Sequence, residues 1–304
     1  MALSSRELES TFGELLNKVE ILSDRIEISE LSGGLTNRNL KVSTSNGTYV
    51  ARISSNESEL LSIDRRAEYE NSKIAAEMGV GAKVLDYLPN QGLLVIGFIS
   101  GKTYTSVDVE QNISRIAHSV RQLHQSKAFV RDFNMFEIQQ KYLEIVKTKG
   151  FKLPAGYENY EKYRIELQEA FNKTHEGNVP CNNDLLPANF IDDGKKIWLI
   201  DYEYSGNNDA CFELGNIWSE ANLSLDALAE LVTAYYEKPR PDKFARAWLF
   251  SLLAKYGWTL WAAIQNEVSE IKFDFWEWGM DKYEAVQRDL GSSFYKEQLK
   301  NLYS

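Results

Sequence analysis

Cys181-Asn182-Asn183-Asp184-Leu185-Leu186-Pro187-Ala188-Asn189-Phe190 runs into a short β-like pair, turns at Asp193-Gly194 and returns as Trp198-Leu199-Ile200-Asp201-Tyr202-Glu203-Tyr204. Asp184 and Asn189 stand five apart across a tight, proline-containing loop, and Asp201 ends an apolar strand, so the spacing predicts that all three meet at one mouth. Phosphoryl transfer asks a protein for a carboxylate that orients and deprotonates the attacking hydroxyl. It also asks for oxygen ligands that hold Mg2+ against the phosphates. Asp184 suits the first task; Asn189 and Asp201 suit the second. Each residue alone reads equally well as a turn or a strand end. The weight lies in the combination, an Asp and an Asn five apart with a second Asp twelve residues further on.

On the N-terminal side of this stretch the pattern is β-like: RIEISEL (25–31), NRNLKVST (37–44), TYVARIS (48–54), AKVLDYL (82–88) and GLLVIGF (92–98). Gly33-Gly34, Asn46-Gly47 and Asn90-Gln91-Gly92 supply turns between them. One helix interrupts the set from Asp64, placed to cap it, to about Met78, with Ala67, Ile74, Ala75 and Met78 at helical spacing. Beyond Gly101 helical runs are predicted near 109–126, 134–148, 157–174, 226–237, 242–267 and 275–301. A two-lobed α+β protein follows, with a small β-sheet lobe carrying one inserted helix over residues 1–98 and a mostly helical lobe over 99–304.

The 304 residues suffice for two lobes and a core that needs no disulfide or structural metal. Cys181 and Cys211 are expected as free thiols, and His118, His124 and His175 lack zinc-ligand spacing. A net charge of −10 disfavours nucleic acid and anionic lipid as partners and is compatible with a cationic small molecule. The first 22 residues alternate charged and apolar positions, unlike a signal peptide or membrane span, so a cytoplasmic protein without stable membrane insertion is expected.

The chain resembles the choline/ethanolamine kinase family, relatives of the aminoglycoside phosphotransferases. The family's catalytic loop is matched by Asn182-Asn183-Asp184-Leu185 and Asn189, and its metal loop by Ile200-Asp201-Tyr202-Glu203-Tyr204-Ser205-Gly206. The following family segment is matched by Phe212-Glu213-Leu214-Gly215-Asn216, and the likeness runs from about residue 30 to 290. The resemblance implies a protein-kinase-like fold, ATP and Mg2+ as cofactors, Asp184 as catalytic base, and Asn189, Asp201 and Glu203 at the metal. It places Ser32, Gly33, Gly34, Leu35, Thr36 and Asn37 in a phosphate-covering turn, Arg52 on the phosphates and Glu68 as its ionic partner. Adenine would be received along Leu94–Ile99, at Phe98 and Ile99. His124 reads as structural.

Trp258 and Trp261 share a helix face, and Trp278 follows seventeen residues after Trp261. A quaternary ammonium has diffuse charge and no N–H donors, so aromatic faces hold it best. By resemblance these tryptophans form a cationic-headgroup cage, with Tyr204 and Glu220 beside it. Choline is the first acceptor expected, with ethanolamine, a related amino alcohol or an aminoglycoside as alternatives. Two positions depart from the family: Asn182 stands where a histidine is usual and Glu213 where an aspartate is usual. They imply an altered brace behind the catalytic loop and leave room for a catalytically silent ATP-binding protein.

Overall fold

The computed structural model describes residues 3–31, 34–54 and 60–304. Helix α1 (Ser5–Leu16) begins at a capping box made by Ser4 and Glu7. Strands β1 (Arg25–Leu31), β2 (Asn37–Thr44) and β3 (Gly47–Ser54) precede helix α2 (Arg65–Glu77), and β4 (Val84–Leu88) and β5 (Leu93–Gly97) follow it. All five strands join one antiparallel sheet in the order β1-β2-β3-β5-β4. Successive side chains alternate between the two faces of a strand. Leu40, Val42, Ala51, Leu93 and Val95 therefore pack on one face with Leu8 and Leu16 of α1. Arg52, Leu94 and Ile96, at the alternate positions, line a cleft on the other face.

Asp64 caps α2 as its sequence predicts, accepting from the N–H groups of Arg66 and Ala67 at 3.0 Å each. This helix does not share the sheet's core. Its Ile74 and Ala75 join the larger core formed by the second part of the chain, so α2 is packed as an outpost of the helical lobe.

That part comprises β6 (Lys102–Thr103), α3 (Ser106–Gln111), α4 (Ile113–His124), α5 (Met135–Lys149), α6 (Glu161–Lys173), β7 (Val179–Cys181), β8 (Phe190–Asp192), β9 (Ile197–Leu199) and β10 (Gly206–Asn208). Helices α7 (Ala210–Glu220), α8 (Leu225–Tyr236), α9 (Pro241–Val268), α10 (Phe275–Asp289) and α11 (Ser293–Asn301) complete it. Short sheets β6-β8-β9 and β10-β7 hold the loops that carry Asp184 and Asp201. Among the described residues no helix is long and apolar enough to cross a membrane. The α+β architecture is the expected one, with local differences: β6, β7 and β10 are additional, and the run expected over 109–126 divides at Asn112 into α3 and α4. The helical run expected over 275–301 divides at Gly291, whose φ of +78° ends α10 and lets the chain restart. Helix α7 has no counterpart among the predicted runs, because Cys211 to Ile217 are buried without exception and leave no amphipathic period to read.

The long α9 is the spine of the lobe, with α5, α7 and α10 packed on it. Gly215 permits the α7 crossing: a Cβ there would lie 2.1 Å from the Ala247 carbonyl oxygen. Gly215→Ala should therefore force the helices apart and lower the melting temperature by about 5 °C or more, measured by differential scanning calorimetry. An unchanged melting temperature would mean that the crossing is looser than this contact requires.

Candidate active site

The loop after β7 is built to hold Asp184. Asn183 takes a left-handed backbone, φ +68°, and its amide donates to the Tyr204 carbonyl at 3.0 Å while its Oδ1 accepts from Asn208 at 2.9 Å. Asn182 does two jobs. Its Oδ1 accepts the Asp184 N–H at 3.1 Å, and its Nδ2 donates to the carbonyls of Ile200 and Asp201 at 3.1 and 2.9 Å, tying the two site loops together. Glu213, fully buried on α7, accepts the backbone N–H groups of Asn182 and Asn183 at 3.2 and 2.9 Å. His124 lies beside it, with Nε2 3.7 Å from Glu213 and Nδ1 2.7 Å from the Tyr235 hydroxyl. The residues that depart from the family pattern thus form a complete brace. His124 belongs to that brace, away from the reacting groups.

Asp201 also has a left-handed backbone, φ +65°, a strained conformation held by the Asn182 contacts. Its carboxylate meets Arg52 Nη2 at 2.5 Å. The predicted ion pair is present, Arg52 Nε to Glu68 at 2.8 Å, and both residues are buried. Asn189 donates its Nδ2 to the Asp184 carbonyl at 2.7 Å, so the donor end of its amide is engaged and Oδ1 is the atom of the side chain suited to a cation. Asn189 Oδ1 and the Asp201 carboxylate are all-oxygen donors on one cavity wall and fit a hard divalent cation such as Mg2+.

Glu203, expected at the metal, lines the central cavity with Asn189 and Asp201 and is held by side chains of the sheet lobe. Its Oε1 accepts from Thr36 at 2.7 Å. Its Oε2 accepts from Asn37 at 2.7 Å, Arg52 at 3.1 Å and Arg65 at 3.3 Å. The side chains of Thr36 and Asn37 thus fasten the sheet lobe to the loop that carries Asp201, and Thr36 also lines the central cavity. Gln265 of α9 adds a second tie, donating to the Leu35 carbonyl at 3.0 Å. Ser32 and Gly33 lie outside the described residues; Gly34 and Leu35 line the central cavity. Phe98 follows directly on β5. Its N–H donates to the Thr48 carbonyl at 3.1 Å, inside the lobe. The apolar slot beside Arg52 is walled by Ala82, Leu94, Ile96 and Ile200, all within stretches the sequence singled out. Arg65 was also within reach, since it neighbours the Asp64 cap, but its partner Glu203 is 138 residues away.

One cavity unites the remaining candidates. Asp184, Asn189, Asp201, Glu203 and Glu220 line it together with Tyr204, Trp258, Trp261 and Trp278. Trp261 donates its indole N–H to the Tyr204 hydroxyl at 2.8 Å and meets Trp278 edge-on at 5.5 Å; Tyr204 meets Trp258 edge-on at 5.1 Å. Burial, with the carboxylates of Asp201, Glu203 and Glu220 nearby, pushes the Asp184 carboxyl well above the usual carboxylate range. A raised carboxyl facing a polar-and-aromatic cleft has the character of a proton acceptor for a bound hydroxyl.

A family model described as choline/ethanolamine kinase matches residues 28–249. A probable ethanolamine kinase of Arabidopsis thaliana is 25% identical over 325 aligned residues, covering 95% of this chain and 84% of that protein. The crystal structure of a choline/ethanolamine kinase family protein from Mesorhizobium loti matches with a TM-score of 0.84 at 25% identity, covering 97% of this chain and 99% of that one. The crystal structure of choline kinase LicA from Streptococcus pneumoniae matches with a TM-score of 0.77 at 24% identity, covering 93% of this chain and 97% of that one, a likeness of fold.

Proposed function

Because the chain belongs to the choline/ethanolamine kinase family, whose members are phosphotransferases acting on alcohol acceptors, we propose that it transfers the γ-phosphate of ATP to the hydroxyl of choline. The observation that carries this reading is the single cavity lined by Asp184, Asn189 and Asp201 together with Trp258, Trp261, Trp278 and Tyr204. Residues 1–98 act as the nucleotide-covering lobe and 99–304 as the catalytic and acceptor lobe. Leu94, Ile96 and Ile200, beside Arg52, would receive the adenine ring, with Ile99 next along the chain after β5 and Phe98. Arg52 turns from Asp201 to the phosphates while Glu68 keeps hold of it.

Asn189 and Asp201 would hold Mg2+, which would neutralise phosphate charge. Asp184 accepts a hydrogen bond from the acceptor hydroxyl and orients its oxygen toward the γ-phosphorus. As the new O–P bond forms, the bond to the bridging oxygen of the departing ADP breaks and the hydroxyl proton passes to Asp184. Most of the rate comes from this positioning and from charge stabilisation. Cys181 and Cys211 are both buried free thiols, in keeping with a reducing, cytoplasmic setting.

The test is a coupled ADP-release assay offering choline, ethanolamine and an aminoglycoside separately, with the product identified by mass. Choline-dependent ADP release with phosphocholine formed supports the reading; preference for either other acceptor replaces choline; silence on all three, with ATP still bound, favours a catalytically silent protein. Trp261→Ala should raise the choline KM about tenfold, because it removes one aromatic wall and releases Trp278 and Tyr204 from their contacts. The ATP KM should move less than about twofold. Equal effects on both substrates would count against the cage.

A further inference from the structure

Behind the aromatic wall the chain carries an ammonium of its own. Lys282, one turn beyond Trp278 on α10, is 9% exposed, donates to Glu220 Oε1 at 2.6 Å and lies 4.1 Å from the centroid of the Trp278 ring. Glu220 and Trp278 line the acceptor cavity, whereas Lys282 does not. A carboxylate and an aromatic face that a cationic ligand would use are thus already engaged from the far side by a side chain. A half-buried ammonium, Lys255, lies 5.2 Å from the Trp218 ring centroid; burial and then Lys282 lower its pKa, while Glu220 opposes the fall.

The two acceptor headgroups differ in what they need. A trimethylammonium has no N–H groups and is satisfied by ring faces, whereas a primary ammonium brings three N–H donors that are costly to bury without acceptors. The oxygens of this cavity are largely spoken for. Glu220 is neutralised by Lys282, the Tyr204 hydroxyl accepts from Trp261, and Asp184 serves the reacting hydroxyl. The pair is also felt at the reacting end. Burial does most to raise the Asp184 carboxyl, Glu220 adds to the rise and Lys282 opposes it.

We propose that Lys282, by neutralising Glu220 from behind Trp278, is a specificity-determining positioning residue that tilts the acceptor pocket toward headgroups lacking N–H donors. This inference rests on reading the cavity as the acceptor site.

The experiment measures kcat and KM separately for choline, ethanolamine and ATP in the wild-type protein and in Lys282→Met, Lys282→Arg, Glu220→Gln and the Glu220→Gln/Lys282→Met double variant. Lys282→Met should raise the ethanolamine-to-choline ratio of kcat/KM about tenfold, through KM more than kcat, because Glu220 is released to accept from a primary ammonium. Lys282→Arg, which keeps the charge pair, should keep the wild-type ratio. Glu220→Gln leaves the lysine uncompensated beside the pocket and should raise KM for both acceptors about tenfold while sparing ATP. Adding Lys282→Met to it should restore the choline KM.

A ratio that does not move in Lys282→Met, or the absence of rescue in the double variant, overturns the role of Lys282 and leaves the acceptor reading standing. So does a wild-type preference for ethanolamine. If Lys282→Met fails to fold, the comparison of Glu220→Gln with the double variant decides the matter alone. Wild-type protein inert on both acceptors overturns the acceptor reading, and this inference with it.

Discussion

Asparagine in place of Asp184 should lower kcat about 10³-fold while ATP affinity, followed by equilibrium titration, changes less than about twofold. Asparagine fills the same volume and keeps the loop, whose shape is set by backbone N–H groups bound to Glu213 and by the Asn182 and Asn183 amides. It cannot take a proton from the acceptor hydroxyl. The same substitution should stabilise the protein when no nucleotide or metal is present. In the folded state burial and the neighbouring carboxylates hold the Asp184 carboxyl well above its ordinary value, so its ionised form costs folding free energy.

The sign follows directly. That cost is absent below the unfolded carboxyl value of about 4, grows as pH rises, and is complete once pH exceeds the raised folded value. The melting temperature of Asp184→Asn should therefore exceed that of wild type at pH 8, and the difference should vanish as pH falls toward about 4. Thermal scans in EDTA across this range test it. Near-normal turnover would remove Asp184 from the role of base, and a variant less stable than wild type at pH 8 would show that its carboxylate is a net stabilising partner.

Glutamine at Arg52 should lower the melting temperature by about 5–10 °C and raise the ATP KM by at least about tenfold. Arg52 meets Glu68 at 2.8 Å, Asp201 at 2.5 Å and Glu203 at 3.1 Å, and Arg65 meets Glu68 and Glu203 at 2.8 and 3.3 Å. Two guanidinium groups thus serve three carboxylates, two of them deeply buried. Burial works against the charge on Arg52, and Asp201, Glu68 and Glu203 more than offset it. Removing one cation leaves like charges facing each other in a poorly solvated site, where a broken pair costs about 3–5 kcal/mol.

The deficit should shrink as pH is lowered. The Glu203 carboxyl is held above its ordinary value, chiefly by burial and then by Asp201, so protonation at lower pH relieves the repulsion. A deficit of equal size at pH 8 and pH 5 would mean that these carboxylates do not share the guanidinium. Arg52→Lys should fall between wild type and Arg52→Gln, because an ammonium keeps the charge but cannot reach three carboxylates with a planar fork.

Local chemistry is written locally, and the sequence alone determined what depends on it. The β-like runs of β2, β3 and β5, set apart by Asn46-Gly47 and Asn90-Gln91-Gly92, identify the sheet, while the cleft-facing side of Arg52 is seen only in the structure. Asp64 announces α2 because a side-chain acceptor at that place satisfies orphan N–H groups whatever packs later. Asp184, Asn189 and Asp201 lie within eighteen residues, and Trp258 and Trp261 within one helical turn, so spacing alone groups them.

Tertiary structure decided the pairings that cross between elements. Nothing in the residues around Glu203 says that Thr36, Asn37, Arg52 and Arg65 will converge on it, since that follows from the sheet lobe settling on the metal loop. Nor does the Trp278 to Lys282 spacing reveal that the ammonium will turn to Glu220, 62 residues earlier, because only the crossing of α7, α9 and α10 brings those side chains together. Helix α7 was hidden for the converse reason: buried all round, it lost the alternation that makes a helix visible and kept only the residues that brace the catalytic loop.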